Sequence, residues 1–141
     1  MEDQAENIGE IKVSELMVYD PFFITPEEKI STTELLMLRK KIGGLPVVKD
    51  SKRKQVMGII TQRDIRLARF AMTLDSPNTK AKDLMSVDPI VASKKDTLKT
   101  VLTKIIQNNV ERLPVVDDNH ELIGLITKQS IIEGIYKHLK K

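Results

Sequence analysis

"RLPVVDDNHELIGLIT", residues 112–127, decides the fold, because a near copy of it, "GLPVVKDSKRKQVMGIIT", already occupies residues 44–61. Each stretch is a short β-branched run, a polar segment and a second apolar run ending in threonine, the pattern of two strands joined by a hairpin tip. Sliding the chain against itself by 68 positions also sets Glu15–Met17 over Asp83–Met85, Pro21 over Pro89 and Leu45 over Leu113. Past the tip the offset becomes 66, where Gly58 meets Gly124. The two missing residues fall in the polar segment, so the loop varies in length and the strands do not.

Self-similarity at a fixed period marks a supersecondary unit that cannot bury its apolar face alone. Ahead of the second hairpin, Leu98, Val101, Leu102, Ile105 and Ile106 follow helix spacing as one buried face, and the run stops at Asn108 and Asn109, which accept a left-handed cap. Ile30, Met37 and Leu38 are the counterparts in the first copy, whose helix is expected to end at Gly43 and Gly44. A second helix follows each hairpin, from about Gln62 to Met72 in one copy and with Ile131, Ile132, Ile135, Tyr136 and Leu139 on one face in the other. Each copy reads strand, helix, strand, strand, helix. The expected fold is α+β, a tandem repeat of small sheets flanked by two helices and related by a pseudo-twofold axis. Residues 11–72 form the first domain, 73–80 a linker and 81–141 the second domain.

The composition sets bounds on function. The 141 residues are 40% hydrophobic, 30% charged and 4% aromatic, which suits a globular protein with a core of Ile, Val and Leu. Zero cysteines exclude disulfides, thiolate metal sites and a cysteine nucleophile, and His120 and His138 stand in separate segments. No apolar run reaches the eighteen or so residues of a membrane span, and the start lacks the pattern of a signal segment, so a cytoplasmic protein is expected. The net charge of +3 is mild, and the basic run Lys49–Lys54 reads as a solvated hairpin tip. Its four basic residues have no aromatic beside them in sequence, so nucleic-acid binding is not indicated. No serine-nucleophile elbow and no phosphate loop ending in Gly-Lys-Ser/Thr occurs.

One ordered series stands twice: "LM" and a following proline, "LPVV", then "GIITQRD" or "GLITKQS". It resembles the cystathionine-β-synthase (CBS) domain pair, or Bateman module, from about Ile11 to Leu139. The resemblance implies two units packed through their sheets, with two clefts between them that often bind adenine nucleotides or S-adenosylmethionine. It also implies pairing into homodimers and regulation of another protein. No output domain is expected here, so the effector would be a separate protein.

Thr61 and Asp64 carry the chemistry of the first cleft. A helix start offers N–H groups and a positive dipole end to a phosphate, a threonine hydroxyl can bond the same anion, and a carboxylate can accept both hydroxyls of a ribose. The same Thr-x-x-Asp pattern is also that of a capping box, which only satisfies the helix's own N–H groups. By analogy with the family, Met85, Asp88 and Ile90, with Val110 and Glu111, complete this cleft, the base lying against Ile90 and Val110. The position before "LPVV" is Gly44, preceded by Gly43, which leaves phosphate to Thr61, the helix start and Arg63 or Arg112. The second cleft has Thr127, Arg112 and Phe22, but Ser130 stands where the ribose-holding aspartate is expected. A neutral bond is worth roughly 1 kcal/mol against roughly 1.5 to 3 for a charged one, so weaker binding is expected there. Arg112 can equally be a surface residue paired with Glu111 or Asp117. Three functions are open: a non-catalytic adenosyl-ligand sensor with no cofactor or metal, a dimeric interaction module with vestigial clefts, and a nucleic-acid contact at the tip.

Overall fold

The computed structural model describes residues 8–71 and 77–140. Residue 72, residues 73–76 of the expected linker and Lys141 lie outside the described residues.

Two hairpins organise the chain as the repeat predicts. β2 (Gly44–Val48) pairs antiparallel with β3 (Val56–Thr61), and β6 (Arg112–Val116) with β7 (Leu122–Thr127). Leu45 faces Ile60 in one and Leu113 faces Ile126 in the other. Both hairpins carry a bulge at the same place, where Met57 or Ile123 is the extra residue. The tips differ in length, yet an aspartate closes each. Asp50 Oδ1 accepts the N–H groups of Lys52 at 2.9 Å and Arg53 at 2.6 Å, and Asp117 Oδ1 those of Asn119 and Glu121 at 2.9 Å.

The heads of the copies are exchanged. β1 (Val18–Tyr19) pairs with β7, and β4 (Ser86–Val87) with β3, so each head lies on the hairpin of the other copy. β5 (Ala92–Ser93) runs parallel to β6, and Ile24 makes the matching parallel bridge to Val47. Two compact units result: a continuous one, Phe22–Pro89, and a split one, Met1–Pro21 with Ile90–Lys141. Each has its own core. Ile24, Met37, Leu45, Ile60 and Ile65 lie in the first, and Val13, Leu16, Leu98, Leu113 and Ile126 in the second. Burying one such aliphatic side chain contributes about 1.5–3 kcal/mol.

The exchange explains why each copy pairs "LM" with a later glycine. A Cβ on Gly58 would lie 2.7 Å from Met85 Sδ and 2.7 Å from the Ser86 carbonyl, and one on Gly124 would run into Met17 Sδ. The head methionine therefore occupies the space that a side chain on the second hairpin strand would take.

A 3-10 turn at Val13–Glu15 and five α-helices complete the elements of the described residues: α1 (Ile30–Lys40), α2 (Gln62–Phe70), α3 (Ala81–Leu84), α4 (Leu98–Asn108) and α5 (Lys128–Lys140). Thr97 caps α4 at its start, accepting the Thr100 N–H, and Asn109 ends it with φ 51°, as expected. The first-copy helix does not end at its glycines. Lys41 takes the left-handed turn with φ 55°, Gly44 is already in β2, and no glycine among the described residues has positive φ. Bonds from Lys41 N–H to the Leu38 carbonyl and from Ile42 N–H to the Met37 carbonyl offset the cost of that turn.

The helices bury narrower stripes than their spacing predicts. Ile30, Thr33 and Met37 are buried on α1, Leu98 and Val101 on α4, and Ser130, Ile131 and Gly134 on α5. Leu38, Leu102, Ile106, Ile132, Tyr136 and Leu139 are exposed instead. A helix laid on a small sheet touches it along one line of side chains, and apolar residues a step further round the helix meet no sheet.

Candidate functional site

The start of α2 is built by the end of its hairpin. Thr61 closes β3 in extended conformation and becomes the N-cap. Its hydroxyl accepts the Asp64 N–H at 3.2 Å, and its own N–H donates to Asp64 Oδ2 at 2.9 Å. The hydroxyl also donates to that oxygen, at 3.0 Å. The capping box foreseen as the alternative use of these residues is therefore present. It engages one carboxylate oxygen; among the described residues Oδ1 of Asp64 has no partner. A carboxylate oxygen has two lone pairs, enough to accept both hydroxyls of one ribose.

The first strand of the same hairpin, β2, supports this helix start from the side. Gly44 pairs with Thr61 across the ladder, and the Gly43 carbonyl accepts the Gln62 N–H at 2.9 Å. Two first-turn N–H groups are thus spent inside the protein. The Arg63 N–H is left without a partner among the described residues, and it is the amide that could meet an anion.

Met85 and Asp88 belong to this same continuous unit. Met85 covers Gly58, and the Asp88 N–H donates to the Met57 carbonyl at 3.3 Å. Asp88 has φ 48°, as does its repeat counterpart Asp20. Ile90, Val110, Glu111 and Arg112 belong to the split unit. There Val110 packs against the core, and Ile90 is 37% exposed.

The start of α5 repeats the arrangement with a different residue. Thr127 faces Arg112 across the ladder. Its N–H donates to Ser130 Oγ at 2.9 Å, and the Ser130 N–H donates to Thr127 Oγ1 at 3.0 Å. The Ser130 hydroxyl then donates its only proton to the Thr127 carbonyl at 3.0 Å. Ser130 is 7% exposed, so it is a buried and internally satisfied cap. Arg112 does pair with Glu111, loosely, at 3.8 Å, and Glu111 also meets Lys128 at 3.3 Å. Phe22, the expected base contact of the second cleft, lies in the continuous unit. It is 49% exposed, not core, and the Lys40 ammonium lies 5.1 Å from its ring centre.

Two features were not foreseen. The basic tip does have an aromatic neighbour, since Lys54 Nζ lies 5.0 Å from the Phe23 ring centre, far apart in sequence but adjacent in the fold. A groove of about 440 Å³ also runs between α1 and α2, lined by Leu35, Leu38, Gln62 and Arg66. Arg69 bonds Glu34 across it with both guanidinium nitrogens. That bond holds the Glu34 carboxyl below its usual range and raises Arg69. Nothing local in the sequence joins residues so far apart.

The CBS domain profile matches residues 13–70 and 81–137. The inosine-5′-monophosphate dehydrogenase of Bacillus subtilis strain 168 is 35% identical over 133 residues, 93% of this chain and 26% of that enzyme. The chain thus spans about a quarter of the length of the dehydrogenases it matches. Among solved structures, CBSX2 of Arabidopsis thaliana in complex with AMP is 25% identical with a TM-score of 0.80, covering 93% of this chain and 99% of that one. A CBS domain pair crystallised with 5′-methylthioadenosine and S-adenosyl-L-methionine is also 25% identical, with a TM-score of 0.75 over 86% of this chain and 97% of that one.

Proposed function

Because the chain belongs to the CBS domain family, we propose that it is a non-catalytic regulatory module that binds AMP, ADP, ATP or S-adenosylmethionine and signals to a separate protein. The observation that carries this is Asp64: its carboxylate is fixed at a helix start by one oxygen and offers the other. A cap alone needs no such group, since Ser130 caps α5 without one. The bound adenosyl groups of the two related structures point to the same class of ligand. In this reading Asp64 Oδ1 accepts ribose hydroxyls, while the Arg63 N–H and the arginines Arg63 and Arg112 serve the phosphate or its equivalent. Ile90, Val110 and Glu111 keep the role that the family resemblance assigns them. The protein works in the cytoplasm as a homodimer; the exposed Leu35, Leu38, Leu67 and Phe70 of α1 and α2 are the apolar surface that supports pairing.

Thermal unfolding of the wild type and of Asp64→Ser, with AMP, ADP, ATP, S-adenosylmethionine or GMP, tests the reading. A native-state ligand at a hundredfold excess over its dissociation constant adds about 2.7 kcal/mol, which moves the midpoint by several degrees. The serine variant copies the Ser130 cap, so its unliganded midpoint stays near wild type and only the shift is lost. No shift with any adenosyl compound would leave Thr61 and Asp64 as a cap and make the chain an interaction module.

A further inference from the structure

The chain passes between its two compact units at two places, after Pro21 and after Pro89. Both passages have the same construction. A two-residue strand, β1 or β4, is followed by an aspartate with φ 48°, Asp20 or Asp88, and then by the proline. Left-handed φ is uncommon for residues other than glycine, although aspartate and asparagine adopt it more readily than most, and a residue before proline is ordinarily extended. The proline then locks its own φ. A left-handed residue thus stands directly before one of fixed φ, at related positions and with the same angle.

Each passage is anchored on both sides. Val18 and Tyr19 are held by β7, and Ile24 donates its N–H to the Pro46 carbonyl at 3.1 Å. In the second passage the Asp88 N–H is held by Met57, and Ala92 pairs with Val115. Between the anchors stand Phe22 and Ile90, both partly exposed, the residues that the family resemblance sets against a base.

We propose that Asp20 and Asp88 are positioning residues: the left-handed turn at each, and not its carboxylate, fixes how the chain presents Phe22 and Ile90. This rests on the adenosyl reading for its effect on ligand and stands apart from it for its effect on the backbone. Strained backbone retained at two matching positions is expected where geometry serves a function.

The test replaces each aspartate by Gly, Asn and Val. Glycine and asparagine tolerate positive φ, and a β-branched residue does not. Amide hydrogen exchange of the unliganded protein is followed over residues 22–24 and 90–92, and affinity for the adenosyl compounds by calorimetry. Gly and Asn variants are expected to match wild type in exchange at both positions, and in affinity at Asp20. The Val variants are expected to exchange about tenfold faster in these segments and to bind about tenfold more weakly. If Val prevents folding, Ala takes its place. Equal damage from Gly, Asn and Val would mean that the carboxylate is used, and wild-type exchange in the Val variants would mean that handedness is idle; either overturns the proposal. If the wild type binds none of the compounds, the adenosyl reading fails and the exchange result alone decides the joint.

Discussion

The helix starts at Thr61 and Thr127 are the same structure put to different use. Both follow the second strand of a hairpin, and both set a threonine hydroxyl on the third N–H of the helix. At α2 the reciprocal bond comes from a carboxylate with an oxygen to spare; at α5 it comes from a buried hydroxyl whose proton is already given to a carbonyl. A cap is worth about 1 kcal/mol by either route. The carboxylate therefore adds something that stability does not require, and the internal repeat supplies the control within one chain.

The largest expected effect comes from the glycines that seat the head methionines. In Gly58→Ala the new methyl meets the Ser86 carbonyl at 2.7 Å, backbone that cannot turn aside. In Gly124→Ala the nearest obstacle is the flexible end of Met17, with the Val18 carbonyl at 3.1 Å. Chemical denaturation should show a loss of about 2–3 kcal/mol for Gly58→Ala and about 1 kcal/mol for Gly124→Ala. Equal losses would mean that the two seats are more alike than their distances.

Next in size is the exchange of cap residues. Ser130→Asp forces a carboxylate against the Thr127 carbonyl that now accepts a proton, and should cost about 1–2 kcal/mol by the same assay. Asp64→Ser should cost no more than about 0.5 kcal/mol, since Ser130 makes the same reciprocal bond at the start of α5. It should weaken an adenosyl ligand tenfold or more, the worth of one charge-assisted bond. An Asp64→Ser protein that binds as well as wild type would remove the distinction between the two helix starts.

How much of this is legible in sequence follows from how far each interaction reaches along the chain. The capping boxes span three residues, and the hairpins show themselves through β-branched runs and a loop that varies alone. The head exchange is not legible in the residues themselves, because β1 pairs with a strand at the other end of the chain and "ELM" carries no signal of which hairpin it will meet; only the family analogy set Met85 and Asp88 beside Asp64. The outcome does explain a pattern visible beforehand, the glycine in "GIIT" and "GLIT", as the seat of a methionine. At the sites, Asp64 is legible in kind, whereas the Gly43 carbonyl on Gln62 and the closed hydroxyl of Ser130 depend on backbone placement. Periodicity also overstates the core. It marks Tyr136 and Leu139 as apolar without showing that no sheet reaches them.

The smallest effect concerns a carboxylate that the second copy lacks. Glu27 accepts from Lys80 Nζ at 2.6 Å and Lys82 Nζ at 2.8 Å, and its counterpart by the repeat is Lys95. Those two bonds, that of Lys80 first, lower the Glu27 pKa from 4.5 to about 2. They join the turn before α1 to α3, where the Ala81 N–H also donates to the Glu28 carbonyl at 2.8 Å. A folded pKa below the unfolded one stabilises the native state above the unfolded value, and this contribution disappears as pH falls from about 4.5 to about 2. Glu27→Gln should therefore melt below wild type at neutral pH and converge with it near pH 2. The group is exposed, so the gap should be small and should shrink further in about 0.5 M salt. A gap that survives both acid and salt would assign the effect to packing of the Glu27 stem and not to its charge, and the first copy would then differ from the second here in shape alone.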